Sequence, residues 1–237
     1  MPFPRSRATR SPPHPSWTAN IVRGLADIAR RVNAFMVQLG FAGGYVVQGG
    51  DIGSQVARIL KMMLTRRTGV HLNFCYMVPP DVPASALSDR DRAGVARSSR
   101  FVSYESVYSF EQATRPATLG FAIASSPLAL LAWIGEKFMD WTDEVPPMST
   151  ILEAVSLYWY TDTIARSFHP YRDTTWRITK PFGFSSFPKE ILPSPRAWIE
   201  TTGVLVFYWE HAKGGDFAAI ESPEALWGDV EAFVAQV

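Results

Sequence analysis

The sequence is poor in three features that define large classes of protein. It has one cysteine, Cys75, which excludes an internal disulfide and with it a secreted scaffold held by disulfides. Its 23 basic and 22 acidic residues leave a net charge of +1, which argues against nucleic acid as a dedicated partner. Its apolar stretch 119–134 is interrupted by Ser125, Ser126 and Pro127, so we expect a buried helix there and no transmembrane span. We therefore expect a cytoplasmic protein.

Apolar and aromatic residues are abundant instead. They make up 47% and 13% of the 237 residues, which is enough for a sizeable core and excludes disorder of the whole chain. Residues 1–18 differ, since they are rich in proline, serine and arginine, and we predict a disordered tail with a transit peptide as the alternative. No apolar run follows that could form the core of a secretory signal.

The chain after the tail alternates between helical and extended patterns. Apolar residues at spacings of three and four predict a helix over 19–39, and short β-branched runs predict strands over 45–47 and 70–74. This alternation predicts an α/β fold, in which helices flank a mostly parallel sheet. The later elements of the same pattern are a strand over 178–184, a short helix over 195–202, a strand over 204–208 and a final helix that Ser222 and Pro223 begin and that ends near Val234.

The segment between these two halves is predicted to be helical throughout. Ser126 followed by Pro127 favours a helix start, with the helix continuing to about Trp141. Thr150 with Glu153 fits a capping box, which predicts a helix through about residue 167. We therefore predict three parts: the tail 1–18, an incomplete α/β core formed by 19–78 and 178–237, and a helical lid over 79–177.

One glycine-rich turn has the composition of a catalytic site. Residues 49–53, GGDIG, stand between a predicted strand and a predicted helix, as in a nucleophile elbow with Asp in place of Ser. Glycine allows the tight turn, and the following helix supplies N–H groups and a dipole that favour negative charge. A carboxylate nucleophile suits an sp³ carbon with a leaving oxygen or halide, because it forms an ester that water can cleave. The alternative is an ordinary turn with a helix cap.

The segment 44–54 resembles the elbow of the epoxide hydrolases of the α/β-hydrolase fold, of the microsomal type with their soluble fungal relatives. The resemblance implies a partial α/β-hydrolase fold with an inserted lid, and an activity that converts a small hydrophobic epoxide and water to a diol without a cofactor or metal. It extends from about Ile21 to Val234 through landmarks in the same order, at 70–74, 112–121, 136–138, 158–164, 187–190, 213–215 and 217–219.

The resemblance also implies roles for individual residues. Asp51 matches the nucleophile that attacks the epoxide carbon, and the N–H of Ile52 matches one oxyanion donor. Tyr108 and Tyr171 match the lid tyrosines that donate hydrogen bonds to the epoxide oxygen, and Glu190 matches the acid that orients the base. Three nearby tyrosines compete for these roles: Tyr104, Tyr158 and Tyr160.

The sequence departs from the family pattern at the base. Asp216 stands where the pattern has histidine, and a carboxylate, with a reference pKa of about 3.9, is a much weaker base than an imidazole at about 6.5. Loss of the base should slow the second step, in which water cleaves the ester. We expect none of the four histidines to substitute for it: His14, His71, His169 and His211.

A second departure is that no His-Gly-Trp-Pro loop, which supplies the other oxyanion N–H in this family, precedes Ile21. With about four strands predicted, we expect the C-terminal portion of a longer hydrolase, truncated at its N-terminal side, with one unpaired sheet edge. The function predicted is that of an impaired epoxide hydrolase, and a homodimer is compatible with it. The alternatives are a non-catalytic pseudoenzyme that binds an apolar ligand or a partner, and a dehalogenase.

Overall fold

The structure is a computed structural model that describes residues 24–63, 69–172 and 180–237. The predicted tail 1–18, and with it His14, lies outside these residues. The strands are β1 (Val47–Gly49), β2 (Val70–Leu72), β3 (Pro181–Ser186) and β4 (Val204–Glu210). The α-helices are α1 (Leu25–Gln38), α2 (Asp51–Met63), α3 (Asp89–Arg100), α4 (Val107–Thr114), α5 (Pro116–Ala124), α6 (Pro127–Trp141), α7 (Met148–Thr161), α8 (Ile164–Ser167), α9 (Arg196–Glu200), α10 (Ala218–Glu221) and α11 (Pro223–Val234).

The four strands form one parallel sheet in the order β1-β2-β3-β4. Each strand therefore pairs with its neighbour in the chain, and a crossover connection separates every pair, as parallel pairing requires. Val47 pairs with Val70, and His71 pairs with Gly183. Because all strands run the same way, the segments that follow β1, β3 and β4 come together at the carboxyl edge of the sheet, where the predicted site residues lie.

The described residues contain five clusters of buried apolar side chains, of which three position the site. One lies on the sheet and includes Leu72 and Phe184, and a second lies among the lid helices and includes Leu130 and Ile151. Complete burial of such side chains stabilises the fold by roughly 1.5–3 kcal/mol each. The third cluster joins lid and sheet and consists of Phe74, Phe101, Trp141 and Ile191, with Tyr108 packed against it.

The connection between β2 and β3 is helical, as predicted. It contains α3 to α8, a π-helical turn at Phe101–Glu105 and 3₁₀ turns at Ala84–Ala86 and His169–Arg172. In the part of this connection that the structure describes, no residue lies in a strand. The boundaries of the three predicted parts stay a prediction.

The prediction for helix α6 is confirmed, and the prediction for helix α7 is wrong at both ends. The Ser126 hydroxyl accepts hydrogen bonds from two N–H groups of α6, at 3.2 and 3.5 Å. Helix α7 instead begins after Pro147, whose carbonyl accepts the Thr150 N–H at 2.9 Å, so Thr150 lies inside the first turn and cannot be a cap. The helix ends at Asp162, which has a left-handed φ of +50°, and does not continue to residue 167.

The strand predictions are right in type and shifted in position. Strand β1 runs from Val47 to Gly49, two residues later than predicted at both ends. The reason is that these three residues are the ones that pair with β2. Strand β3 begins at Pro181, a residue that can occupy a first strand position, and continues beyond the predicted end to Ser186. Ser222 precedes α11 as predicted, although its side chain makes no capping hydrogen bond.

No single helix among the described residues is both long and apolar enough to cross a membrane. The helices α5 and α6 meet the length and composition criteria only when they are taken together, and they are bent by 114° at the break between them.

Candidate active site

The turn between β1 and α2 leaves room only for glycine at two positions. A Cβ atom on Gly49 would lie 2.4 Å from the carbonyl oxygen of Gly53, and one on Gly50 would lie 2.8 Å from the Asn73 amide. The next residue, Asp51, has a φ of +36°, which is uncommon for any residue other than glycine. This strained turn places Asp51 at the first position of α2, as the elbow pattern predicts.

The Asp51 carboxyl lies in a cavity and is strongly perturbed there. Burial raises its pKa to about 8, and the negative charge of Asp216 acts in the same direction. The Ile52 N–H donates a hydrogen bond to this carboxyl, which favours the ionised form and opposes part of that shift. At neutral pH the carboxyl of Asp51 is therefore mostly protonated. The oxyanion role of Ile52 stays a prediction.

Two lid tyrosines face Asp51 as a pair. Tyr108 comes from the first turn of α4 and Tyr171 from the 3₁₀ turn, and their ring centroids are 6.1 Å apart at an angle of 74°. Their hydroxyl groups are hydrogen-bonded to each other. Burial raises the pKa of both phenols, and the charge of Asp51 raises them further. Both hydroxyls thus stay protonated and can donate hydrogen bonds to an oxygen that gains charge.

These residues share a cavity of about 700 Å³, which Asp51, Ile52, Tyr108, Tyr171 and Asp216 all line. Its remaining wall is mostly apolar and aromatic, with Trp133, Phe138, Trp141, Ile164, Phe168 and Phe217 among its members. A second cavity of about 260 Å³ also reaches Asp51 and both tyrosines, and Phe74, Phe101, Phe110 and Leu192 help to line it. The carboxyl and the two phenols therefore lie where two apolar cavities adjoin.

The predicted acid and the base position meet as a pair of carboxyl groups. Glu190 follows β3, has 2% of its surface exposed, and accepts the Ile191 N–H at 2.7 Å. Its carboxyl is hydrogen-bonded to that of Asp216, which follows β4. Two ionised carboxylates have no hydrogen to share, so one of the pair carries a proton. Burial raises the pKa of Glu190 well above its ordinary value and that of Asp216 to about 6, so the two carboxyls titrate as one pair that shares a proton.

The loop that carries Asp216 is held from several sides. The Asp216 N–H donates to the carbonyl of Trp141 at 3.1 Å. The Glu221 carboxylate accepts the N–H groups of Gly215 and Phe217 at 3.1 and 3.2 Å. A Cβ atom on Gly215 would lie 2.5 Å from the Trp141 carbonyl oxygen, so only glycine fits there. The position of Asp216 beside Glu190 is therefore fixed by the backbone.

The tyrosines and histidines that compete for the predicted roles differ in whether they reach the two cavities. Tyr158 lines the larger cavity, whereas Tyr104 and Tyr160 are 81% and 84% exposed. Among the described residues, no histidine lines either cavity. His71 contacts the Ser185 hydroxyl at 3.1 Å, and His211 contacts the carboxylate of Asp229 at 2.6 Å. No group of three or more potential metal ligands occurs among the residues described.

The sequence reasoning missed a cation in the wall of the larger cavity. The Lys137 ammonium lies 4.4 Å from the ring centroid of Tyr108, 5.1 Å from that of Trp133 and 5.3 Å from that of Trp141. In the sequence, Lys137 belongs to the family landmark 136–138 and has no predicted role of its own. The spacing of Trp133, Lys137 and Trp141, four residues apart on one helix, was the signal that they share a face.

Comparison with known structures identifies the fold. No protein-family model matches the chain. The chain has the α/β-hydrolase fold, since it superposes on Aspergillus niger epoxide hydrolase with a TM-score of 0.86 at 50% sequence identity, over 90% of this chain and 58% of that one. The juvenile hormone epoxide hydrolase of Bombyx mori has the same fold, with a TM-score of 0.80 at 23% identity over 90% of this chain and 59% of that one.

Among curated sequences, the chain is similar to proteins named epoxide hydrolase, as the resemblance of the elbow predicts. A Dothistroma septosporum protein named "Putative epoxide hydrolase" is 40% identical over 220 residues, which are 89% of this chain and 52% of that protein. The Sus scrofa protein named "Epoxide hydrolase 1" is 29% identical over 251 residues, covering 87% of this chain and 54% of its own length. The chain thus spans about half the length of the curated relatives it matches.

Proposed function

We propose that this chain performs epoxide hydrolase chemistry, in which the Asp51 carboxylate forms an ester with a carbon of a small hydrophobic epoxide. The observation that supports this most is the arrangement of one carboxyl and two hydrogen-bonded phenols around one apolar cavity. An epoxide needs both a nucleophile for its carbon and hydrogen-bond donors for its oxygen. A halide needs no proton when it leaves, so the phenol pair favours an epoxide over a haloalkane.

In the first step, an oxygen of ionised Asp51 bonds to the epoxide carbon as the carbon–oxygen bond of the ring breaks. Tyr108 and Tyr171 donate hydrogen bonds to the departing oxygen, and one of them supplies its proton and takes up another from solvent before the next step. The nucleophile must be ionised, and burial raises the pKa of Asp51 to about 8. We therefore expect ester formation to become faster as the pH rises through about 8.

In the second step, water cleaves the ester and releases the diol. We propose that this step is slow relative to an enzyme with a histidine base, because a carboxyl group occupies the base position at Asp216. The Ile52 N–H would serve as one donor to the oxyanion that forms on the ester. An ester intermediate on Asp51 should therefore accumulate.

Intact-mass analysis of the full chain after incubation with styrene oxide at pH 8.5 tests the first step. We expect an increase by one epoxide mass, which peptide mapping assigns to Asp51 and which Asp51→Asn abolishes. Asp140→Asn, which makes the same chemical change at an exposed position, should keep the adduct. Absence of an adduct in the unmodified chain, or an unchanged adduct in Asp51→Asn, would contradict the proposal.

A second candidate function is binding of an apolar ligand or partner without catalysis. The aromatic lining of the larger cavity favours it, and so does the burial that raises the pKa of Asp51, because a protonated carboxyl is not a nucleophile. Styrene, which lacks the epoxide oxygen, should then quench the fluorescence of Trp133 and Trp141 at pH 7, and styrene oxide should give no adduct at that pH. A cytoplasmic location and assembly as a homodimer belong to the same set of proposals.

A further inference from the structure

At the base position, the residue and its hydrogen-bond partner are both carboxylic acids. Asp216 forms a carboxyl–carboxyl hydrogen bond with the buried acid Glu190. The Oδ1 atom of Asp216 and the Oε2 atom of Glu190 are buried, and neither receives an N–H or O–H hydrogen bond from the other described residues. A backbone bridge between Lys189 and Gly215 brings the two loops together. Asp216 also lines the cavity that contains Asp51, whereas Glu190 lines neither of the two cavities that reach Asp51. One carboxyl group thus faces the cavity and its partner supplies the hydrogen bond from the protein side.

We propose that Asp216, with Glu190 as its hydrogen-bond partner, is the general base that activates water for cleavage of the Asp51 ester. This inference rests on the proposed function. Glu190 is the positioning residue of the pair, and Asp216 is the group that contacts the water. The pair would then give the chain a complete, though slower, catalytic cycle.

The atoms and protons balance through this cycle. The oxygen of a water molecule bonds to the ester carbonyl carbon of Asp51 while one water proton moves to the Asp216 carboxylate. The tetrahedral intermediate then collapses as the bond from that carbon to the diol oxygen breaks. The diol oxygen takes the proton back from Asp216, and the carboxyl group of Asp51 is released in its protonated form. Solvent removes that proton before the next cycle.

The charged groups around Asp216 determine when it can accept a proton. Burial raises its pKa and the charge of Glu221 adds to this effect, whereas the Glu190 hydrogen bond and the charge of Arg97 lower it, leaving a value of about 6. Asp51, whose own pKa Asp216 raises, lies across the cavity with the phenols Tyr108 and Tyr171. Formation of the ester removes the charge of Asp51, so Asp216 faces one anion fewer in the step it serves.

Arg97 also holds the pair in place from the lid side. Its guanidinium donates to the carbonyl oxygens of Glu190 and Lys189 at 2.7 and 2.8 Å, which ties the loop after β3 to helix α3. Both partners of the acid pair are thus fixed by backbone contacts, Glu190 through Arg97 and Asp216 through Trp141. A pair with fixed geometry can hold one proton between its members as the pH changes.

Decay of the ester intermediate tests the proposal in the full chain. The protein is loaded with styrene oxide at pH 8.5, freed of excess epoxide, and followed by intact mass at several pH values from 5 to 9. We expect the decay rate of the unmodified chain to rise with pH and to level off above an apparent pKa of about 6. Decay in Asp216→Asn should be at least about tenfold slower above that pH, since general-base catalysis commonly supplies 10²–10⁴-fold.

Matched amide substitutions separate the two roles. Glu190→Gln keeps a hydrogen-bond donor toward Asp216 but cannot share a proton with it, so the decay should slow by less than in Asp216→Asn and its pH midpoint should move. Asp140→Asn should leave both quantities unchanged. Equal decay rates in Asp216→Asn and the unmodified chain would overturn the inference, and so would equal losses in Asp216→Asn and Glu190→Gln.

The outcomes also separate this inference from the proposed function. An adduct that forms on Asp51 but decays at the same rate from pH 5 to 9 in the unmodified chain overturns the role of Asp216 and leaves the nucleophile in place. Absence of any adduct overturns both. Because the pH profile is measured on the unmodified chain, the inference stays testable even where the Asp216→Asn variant fails to fold.

Discussion

Replacement of the nucleophile by its amide, Asp51→Asn, should stabilise this protein at alkaline pH. The folded chain holds the Asp51 proton up to a pKa of about 8, whereas the unfolded chain releases it near 4. Between these values the native state binds more protons than the unfolded state, so the free energy of unfolding falls as the pH rises. The destabilisation is complete above about pH 8 and absent below about pH 4. An amide has no such charge to bury.

The size of the effect follows from the shift in pKa. A shift of about four units at about 1.36 kcal/mol per unit sets an upper limit of about 5 kcal/mol. Asp51 and Asp216 share part of this term through their repulsion, and the cavity admits water, so we expect about 2 kcal/mol at pH 9. In a chain of this size that corresponds to an increase in Tm of about 4–8 °C. The substitution leaves the backbone strain unchanged, since Asn and Asp both tolerate a positive φ.

Thermal unfolding of the unmodified chain and Asp51→Asn at pH 5, 7 and 9 measures this difference. We expect the gain in Tm from the amide to be small at pH 5 and to grow with pH. Asp140→Asn controls for the loss of one negative charge, because Asp140 is exposed. The reasoning is refuted by an Asp51→Asn variant that is no more stable than the unmodified chain at pH 9, or by a gain that is the same at all three pH values.

Three further predictions concern the elbow, the lid and the cationic wall. Gly50→Ala should destabilise the fold by about 1–3 kcal/mol in urea unfolding, because the new Cβ would collide with the Asn73 amide. Gly53→Ala, where nothing lies within 4 Å of the new Cβ, should stabilise helix α2 by about 0.5–1 kcal/mol, and equal effects of the two substitutions would contradict the steric account of the turn. Ser126→Ala should cost about 1 kcal/mol in the same assay and Thr150→Ala much less, and the reverse order would contradict the helix starts described here. Lys137→Met should slow adduct formation between Asp51 and styrene oxide several-fold, because the ammonium over the Tyr108 ring favours hydrogen-bond donation by that phenol. Lys137→Arg should keep most of the rate, and an unchanged rate in Lys137→Met would contradict a role for the cation.

The fold class could be predicted because local patterns and global topology agree. Alternating helical and extended segments can bury both element types by forming a sheet with helices on it, and the four strands overlap the segments that the sequence predicts to be extended. Strand ends could not be placed, because pairing with a neighbour and not the residue itself decided that β1 includes Gln48 and Gly49. The capping prediction failed at Thr150 for a similar reason, since Pro147 starts that helix through its backbone alone.

The candidate site was partly visible in the sequence because the elbow is a local feature. Glycine at 49 and 50, followed by an acid and a helical pattern, defines a strained turn whose chemistry can be read from five residues. The two tyrosines, Glu190 and the Asp216 position came only from resemblance to a family, since nothing in their own neighbourhoods marks them. The spacing on α6 indicates the contacts of Lys137 with Trp133 and Trp141, but its contact with Tyr108 joins two helices and cannot be read from the sequence.

The sequence by itself determined which groups this protein can use: a carboxyl in a glycine turn, protonated phenols in the lid, and a carboxyl in place of the expected imidazole. The tertiary structure determined the pKa values of those groups and their hydrogen-bond partners. Burial moves the pKa of Asp51 to about 8, and the meeting of two strand ends turns Asp216 and Glu190 into one proton-sharing pair. Desolvation and the repulsion between carboxyl groups depend on distances between segments that are not neighbours in the sequence, and no local pattern in the chain contains those distances.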